Sequence, residues 1–296
     1  MLSKKEFELL VLLTETEKRL SQRKMAEKLG CSLGTVNRLL KALQDQNDWD
    51  GTKVTAQGRE ALEPYRVRRV IFIAAGFGSR LAPITLNTPK PLIRVNGTRI
   101  IDTMLDAAVA AGIPEIIIVR GYLGEQFDQL LYKYPGIRFV DNPLFNESNN
   151  ISSAMCVRQL FENAYILDAD LILRNPGLIH KYEYESYMLG IPSERTDDWC
   201  VTADKDGYVA SVSVGGLNVY KELGFFYWTR EDGKKLSRDL EEVYQAPGGK
   251  ERFWEQTALI YKKDHYQVAI RQCSDADVTE IDTFTELKGI DPSYNL

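Results

Sequence analysis

The chain has 296 residues, of which 44% are hydrophobic and 27% charged, a balance typical of a globular protein with one large or two smaller domains. No stretch approaches the ~18 apolar residues that a membrane span needs, and the first residues lack the pattern of a secretory signal. Four scattered cysteines disfavour a disulfide scaffold and a cysteine zinc site, so we expect a cytoplasmic protein. The presence of only two histidines disfavours a histidine-dependent hydrolase.

Charge is unevenly distributed along the chain. Residues 1–69 carry 14 Lys and Arg against 10 Asp and Glu, whereas the remaining residues carry 23 against 32. This asymmetry predicts two parts with different partners, and we expect one domain at residues 1–66 and another at residues 67–296.

The first part has the pattern of a winged helix-turn-helix domain. An apolar helix around Phe7 is followed by two helices for which Ser21 and Ser32 can supply the N-caps, and Asp50-Gly51 indicates the hairpin turn of a wing. The end of this part resembles winged-helix repressor domains, which insert their third helix into the major groove of DNA. That resemblance implies DNA contacts from Lys53 in the wing and from the outward side of the third helix. The outward residues of that helix are Ser32, Thr35, Asn37, Arg38 and Lys41. Because the domain is only mildly basic, a module for dimerisation or for sensing within the same chain remains the alternative.

The second part alternates strands and helices. A continuous apolar run at residues 70–75 predicts a buried strand, and further strands are predicted at residues 115–119, 138–140 and 165–170. A helix is predicted at residues 101–111. The pattern predicts an α/β fold with a doubly wound, mostly parallel sheet, preceded by the small winged-helix domain. Ligands are then expected at the carboxyl ends of the strands.

A glycine-rich loop follows the first of these strands. Gly76 and Gly78 allow backbone N–H groups to approach phosphate oxygens, because no Cβ stands in the way. The loop lacks the third glycine of a dinucleotide-binding fingerprint, since Leu81 stands there, and it is not a Walker loop. The whole string AAGFGSRLAPITLNTPKPLI resembles the signature of nucleotidyltransferases that join a nucleoside triphosphate to a phosphorylated small molecule. This family includes sugar-phosphate nucleotidylyltransferases and bacterial CTP:phosphocholine cytidylyltransferases.

The resemblance implies a CTP site at this loop. Ser79 and Arg80 would hold the β- and γ-phosphates, and Lys90 would neutralise charge at the α-phosphate, where the transition state spreads negative charge over oxygens. The residues expected to line the nucleotide within this loop are Ala75, Gly76 and Gly78. The resemblance also implies four contacts to the base or ribose from later loops. For the two in the Asn-rich loop, the alternative is that asparagine is there because it favours a turn, and not because it binds the nucleotide. These four are Gly121, Tyr122, Asn149 and Ser153.

Two carboxylates end the predicted strand at residues 165–170. Alternation along a strand would put Asp168 and Asp170 on one face, and carboxylate oxygens are suitable ligands for Mg²⁺. The resemblance makes Asp170 a metal ligand supported by Asp168, and it implies Asp282 as the second ligand. A weaker alternative is the acidic pair at residues 275–277. Together with Arg80 and Lys90, Asp170 is expected to carry catalysis.

Two segments join a tryptophan to a carboxylate, Asp198-Trp199 and Trp254-Glu255. They resemble the choline pocket of bacterial phosphocholine cytidylyltransferases, in which the rings would be cage walls and the carboxylates counter-charges. The alternative is that these tryptophans belong to the core. The resemblance therefore implies a Mg²⁺-dependent enzyme that makes CDP-choline and pyrophosphate from CTP and phosphocholine.

Three other functions remain open at this point. The same chemistry could act on 2-aminoethylphosphonate, phosphoethanolamine or a sugar 1-phosphate. The chain could instead be a transcription regulator that senses a nucleotide, or an enzyme that also represses its own pathway through the first domain. We expect no membrane span, and a homodimer is left open.

Overall fold

The structure is a computed structural model that describes residues 1–16 and 20–295, and it contains two compact units. One comprises Met1–Arg66 together with Tyr182–Tyr184, and the other comprises Val67–Lys181 and Glu185–Leu296. The sequence did not indicate that Tyr182–Tyr184 would group with the first unit, in which the rings of Tyr65 and Tyr184 stack with centroids 5.4 Å apart. Four residues of the two predicted domains lie outside the described residues, namely Glu17, Lys18, Arg19 and Leu296.

The first unit is a small helical domain with a short wing. The side chains of Ser21, Ser32 and Thr55 each accept a hydrogen bond from a backbone N–H three residues farther on, which confirms the two N-caps predicted for the second and third helices. Trp49 and Val54 pair across an antiparallel bridge and form the wing. The helices of this unit are α1 (Lys4–Glu15), α2 (Gln22–Lys28), α3 (Leu33–Asp45) and α4 (Ala56–Leu62).

The second unit is an α/β domain. Its strands are β1 (Arg69–Ala74), β2 (Arg94–Val95), β3 (Thr98–Arg99), β4 (Glu115–Arg120), β5 (Ile137–Asp141), β6 (Ala164–Asp168), β7 (Leu171–Leu173), β8 (Tyr187–Ala203), β9 (Val209–Trp228), β10 (Ala269–Gln272) and β11 (Val278–Glu280). Its α-helices are α5 (Ile100–Ala110), α6 (Ile151–Val157), α7 (Arg230–Gln245) and α8 (Phe284–Ile290).

A seven-stranded sheet in the order β10-β8-β9-β6-β1-β4-β5 forms the centre of this unit. Strands β5, β4, β1 and β6 are parallel, while β9 is antiparallel to both β6 and β8. The mostly parallel α/β sheet predicted from the sequence is thereby confirmed. Helix α5 covers one face of the sheet, and helices α6 and α7 cover the other. Strand β1 is apolar throughout its length after Arg69 because both of its faces are buried.

Local geometry differs from the prediction at the carboxyl end of β6. Strand β6 ends at Asp168, so Asp170 lies in the turn before β7 and not on the strand. The expectation that strand alternation aligns Asp168 with Asp170 is therefore wrong. The segment after Gly121 forms a 3-10 helix at Gly124–Tyr132. Within the described residues, no helix has the length and apolar character needed to span a bilayer.

Candidate active site

The loop after β1 owes its shape to Gly78. This residue has φ +61°, a left-handed conformation that favours glycine, and a Cβ there would lie 3.0 Å from Cβ of Lys90 and 3.1 Å from Cγ2 of Thr85. The hydroxyl of Thr85 donates a hydrogen bond to the Gly78 carbonyl over 3.0 Å. Glycine at this position therefore lets the loop pack directly against the segment that carries Lys90.

The loop forms one side of a cleft of about 390 Å³. Parallel strands β1 and β6 end at this cleft, as expected for a ligand site in an open α/β sheet. Many of the residues singled out in the sequence line it. They are Ala75, Gly76, Gly78, Ser79, Arg80, Lys90, Asn149, Ser153, Asp168, Asp170 and Asp282.

Gly121 and Tyr122 do not line the cleft themselves but support its wall. The backbone N–H of Tyr122 donates to the Ala75 carbonyl over 3.1 Å, which fastens this turn to the end of β1. A Cβ on Gly121 would lie only 2.6 Å from Cβ of Phe145, a residue that does line the cleft. The absence of a side chain at Gly121 is what allows Phe145 to lie there.

The loop before α6 uses its Asn and Ser side chains for internal hydrogen bonds. The buried amide of Asn142 donates to the hydroxyls of Ser152 and Ser153, both over 3.0 Å. Asn149 donates from its side-chain amide to the Glu251 carbonyl over 3.1 Å. The Asn149 side chain is therefore engaged in joining two loops, whereas the buried Ser153 hydroxyl borders the cleft.

Charged groups meet at the cleft floor. The Lys90 ammonium lies 2.8 Å from Oδ2 of Asp170 and 3.0 Å from Oδ1 of Asp282, and Arg80 donates to the same oxygen of Asp282 over 2.8 Å. Burial by itself would lower the pKa of Lys90, but the two carboxylates outweigh it and raise that pKa. Lys90 is therefore a fixed cation beside the expected phosphate positions.

Asp170, Glu280 and Asp282 form a cluster whose carboxylate oxygens lie within 4.8 Å of one another. Strand β11 pairs antiparallel with β7, and this pairing carries the residues after it back to the turn that holds Asp170. Oδ1 of Asp170 is buried and has no hydrogen-bond partner among the described residues. Three hard oxygen donors, one of them unpartnered, suit a divalent cation.

Glu280 was not predicted as a ligand, and the pairing of β11 with β7 brings it into the cluster. The alternative acidic pair serves another purpose, because Asp277 accepts hydrogen bonds from the backbone and the hydroxyl of Ser274 within a turn.

A second group of carboxyls lies next to the cleft. Glu222 and Glu255 line a small pocket together with Trp199. Burial, with the repulsion of Glu222 added, raises the pKa of Glu255 to about 8, and burial raises that of Glu222 to about 7. The pKa of Asp168 is also raised, first by burial and then by Asp170 and Glu255. Carboxyls with such raised pKa values would be stabilised in their charged form by a cation.

The other two residues expected around the acceptor lie elsewhere. Trp254 is 1% exposed and its ring packs edge-on against Phe226, with centroids 5.1 Å apart, so it is a core residue and does not present a cage wall in this structure. Asp198 precedes Trp199 where the pairing of β8 with β9 is irregular, its side chain is 58% exposed, and it does not line the small pocket. It pairs with Lys221 over 3.4 Å instead of facing the small pocket.

The chain is similar to several known proteins. Residues 69–184 match a family described as nucleotidyl transferase, and residues 2–47 match one described as winged helix-turn-helix DNA-binding. The chain is 34% identical over 227 residues to 2-aminoethylphosphonate cytidylyltransferase of Lancefieldella rimae, covering 76% of this chain and 92% of that relative. It is 29% identical over 218 residues to choline-phosphate cytidylyltransferase of Haemophilus influenzae, covering 73% of this chain and 93% of that relative.

A solved structure of CTP:phosphocholine cytidylyltransferase from Streptococcus pneumoniae matches with a TM-score of 0.71 at 28% identity, covering 77% of this chain and 99% of that one. These findings confirm the resemblance drawn from the glycine-rich string and the prediction of an enzyme. They leave the acceptor undecided, because the relatives differ in the acceptor for which they are named. The chain belongs to the nucleotidyl transferase family, among its cytidylyltransferases, and carries a winged helix-turn-helix domain ahead of the catalytic one.

Proposed function

We propose that this enzyme transfers the cytidylyl group of CTP, with Mg²⁺, to a small phosphonate that carries a primary ammonium group, with 2-aminoethylphosphonate as the first candidate. The observation that carries the proposal is a pocket of about 10 Å³ beside the cleft, room for one water-sized group, where Glu222 and Glu255 lie with one aromatic residue, Trp199. The rest of its lining is Val212, Gln256, Leu259 and Ile260. Asp168 adds a third carboxyl that interacts with Glu255. A primary ammonium has three N–H donors and therefore suits several carboxylate acceptors.

The sequence favoured phosphocholine because it supplied two tryptophans as cage walls. Trp254 lies in the core, and this removes one of the two walls that a quaternary ammonium would use. The relative from Lancefieldella rimae, which is named for 2-aminoethylphosphonate, also supports the change of preference. Phosphocholine is the second candidate, supported by Trp199 and by the relatives named for choline phosphate.

The chemistry needs no general base, because the acceptor oxygen is already anionic. This oxygen attacks the α-phosphorus of CTP, the bond from that phosphorus to the bridging oxygen of pyrophosphate breaks, and pyrophosphate leaves with the electron pair. Lys90 and Arg80 stabilise the negative charge that spreads over the phosphate oxygens. Binding both reactants in one cleft supplies the alignment of attacking and leaving oxygens.

Asp170, Asp282 and Glu280 are the residues that would hold Mg²⁺, since their oxygens form the acidic cluster at the cleft floor. A bound Mg²⁺ would polarise the phosphate oxygens and help neutralise them. The residues of the chain then orient the triphosphate through the glycine-rich loop and neutralise it through Arg80 and Lys90.

The test is a pyrophosphate-release assay of the full chain with CTP, UTP, dTTP and ATP against 2-aminoethylphosphonate, phosphocholine, phosphoethanolamine and glucose 1-phosphate. We expect the highest kcat/KM with CTP and 2-aminoethylphosphonate. A higher value with phosphocholine would favour the second candidate. A higher value with glucose 1-phosphate would contradict an ammonium pocket, and no release with any pair would favour a nucleotide-sensing regulator.

A pair of variants tests the role of the pocket. Glu255→Gln should raise the KM for the acceptor far more than the KM for CTP, because it removes a counter-charge for the ammonium group. Glu251→Gln is the matched control, since Glu251 is exposed on the same segment and does not line the small pocket. Equal effects of Glu255→Gln on both KM values would contradict the assignment.

For the first unit we propose contact with duplex DNA through α3. The support is the exposed side of this helix, which carries Asn37, Arg38 and Lys41, and its match to a DNA-binding family. Fluorescence anisotropy with duplex DNA should show salt-dependent binding, and Arg38→Ala or Lys41→Ala should reduce the salt slope by about one phosphate contact. Binding that is unaffected by both variants would contradict the proposal.

A further inference from the structure

We propose that the ring of Phe77, which packs against Phe145 at an interplanar angle of 52°, is the surface on which the pyrimidine base of the nucleotide stacks. Neither residue was singled out in the sequence, and both line the cleft. The inference rests on the cytidylyltransferase activity and is independent of the choice of acceptor.

Phe77 is placed where a core residue would not be. It is the central residue of the Gly-Phe-Gly turn after β1, and 45% of it is exposed although it is a large aromatic residue. Its ring centroid lies 5.5 Å from that of Phe145 and 5.0 Å from that of Tyr122. The three rings form one aromatic cluster, of which Phe77 and Phe145 border the cleft.

Two hydrogen bonds and one close contact position the cluster. The Tyr122 hydroxyl donates to the Leu86 carbonyl over 3.2 Å, and its backbone N–H donates to the Ala75 carbonyl over 3.1 Å. Gly121 provides the space that Phe145 fills, since a Cβ there would lie 2.6 Å from Cβ of Phe145. An aromatic surface whose position is fixed before the ligand binds loses little conformational entropy on binding.

The same cleft is also lined by polar and charged residues. Asn142, Ser152 and Ser153 supply buried polar groups to its lining, whereas Lys90 and Arg80 lie at its charged end. A nucleotide presents a flat apolar base face, a polar base edge and a charged triphosphate. The aromatic cluster is the part of the cleft that complements the base face, and base–aromatic stacking is a general source of affinity that needs no hydrogen bond.

The experiment distinguishes the contribution of the base to binding from that of the triphosphate. Phe77→Ala in the full chain should raise the KM for CTP about tenfold, the effect expected for losing one stacked base. The inhibition constant of inorganic tripolyphosphate, which has no base, should stay at the wild-type value. Phe77→Tyr should restore most of the CTP affinity because it restores an aromatic face, and Phe145→Leu should weaken CTP in the same selective way.

Tyr132→Ala is the matched control, because it removes an aromatic side chain that is exposed outside the cleft. An unchanged KM for CTP in Phe77→Ala would overturn the proposal. An equal weakening of CTP and tripolyphosphate would also overturn it, since Phe77 would then act on the shape of the phosphate loop. Wild-type turnover with CTP is measured first, so that a failure of the activity itself is distinguished from a failure of the stacking surface.

Discussion

Lys90→Met is the most informative single substitution, because Lys90 joins the two acids that are expected to bind the metal. Its side chain is 10% exposed and its ammonium contacts Asp170 over 2.8 Å and Asp282 over 3.0 Å. Methionine keeps most of the side-chain volume and removes the charge. We expect turnover to fall by about 10²–10³ or more, the usual cost of removing one preorganised group that stabilises a developing charge.

The same substitution should destabilise the protein when no metal is present. Removing one partner of a buried ion pair costs about 3–5 kcal/mol, and the lower end applies here because Asp170 and Asp282 keep 23% and 15% of their side-chain surface exposed. At a Mg²⁺ concentration 100 times the variant's Kd, metal binding should raise the variant's free energy of unfolding by about 2.7 kcal/mol. The wild-type protein should gain less, because Lys90 already neutralises the oxygens that the metal would bind.

The assay combines pyrophosphate release with urea unfolding, each with and without Mg²⁺. Lys133→Met is the control, because Lys133 makes an ion pair with Asp106 at the surface, outside the cleft, and such pairs contribute about 0–1 kcal/mol. Near-normal turnover of Lys90→Met would refute its place in the mechanism. Equal stabilisation of wild type and variant by Mg²⁺ would refute the competition between Lys90 and the metal.

Three further results are expected. Asp170→Asn should lower turnover by about 10²-fold or more and weaken Mg²⁺ binding measured by calorimetry, whereas unchanged metal affinity would contradict its place in the acidic cluster. Because burial raises the pKa of Glu255 from 4.5 to about 8 in the folded state, its contribution to stability is present below about pH 4.5 and is lost as the pH rises through about 8. Urea unfolding of the unliganded Glu255→Gln variant should therefore show a smaller loss of stability over this range than the wild type, and identical pH profiles would contradict the burial argument. Gly121→Ala should lower the free energy of unfolding by about 1–3 kcal/mol, since its Cβ would lie 2.6 Å from Cβ of Phe145. Gly136→Ala, where a Cβ meets nothing within 4 Å, is the control in thermal unfolding, and an equal shift in both variants would contradict the clash.

The position of the active site could be predicted because its phosphate-binding part is continuous in the sequence. The glycines after β1 and Lys90 lie within one short string, whose residue types follow directly from the need to approach and neutralise phosphates. The helix caps at Ser21 and Ser32 were predictable for the same reason, since a cap depends on residues only three positions apart.

The residues that line the acceptor pocket could not be predicted as fully as those of the phosphate-binding loop. A tryptophan beside a carboxylate has the same local pattern in a ligand pocket and in a core, and only the packing of Trp254 against Phe226 decides between them. Glu222 lacked any local signal, because it lies on β9 and meets Glu255, which follows α7 in the chain, only in the folded pocket. Both outcomes depend on contacts between segments far apart in the chain.

The uneven charge, the glycine-rich string and the alternation of strands and helices determined the class of protein, its order of domains and its chemistry, because each is a local property of the chain. The family resemblance implied that Asp170 and Asp282 meet, and the tertiary structure alone decided which further carboxylates lie near them. Glu280 joins Asp170 through the pairing of β11 with β7, and Asp198 pairs with Lys221 of β9 instead of lining the pocket beside Trp199. The physical reason is that burial and charge repulsion act between residues that are close in space, whatever their separation in sequence.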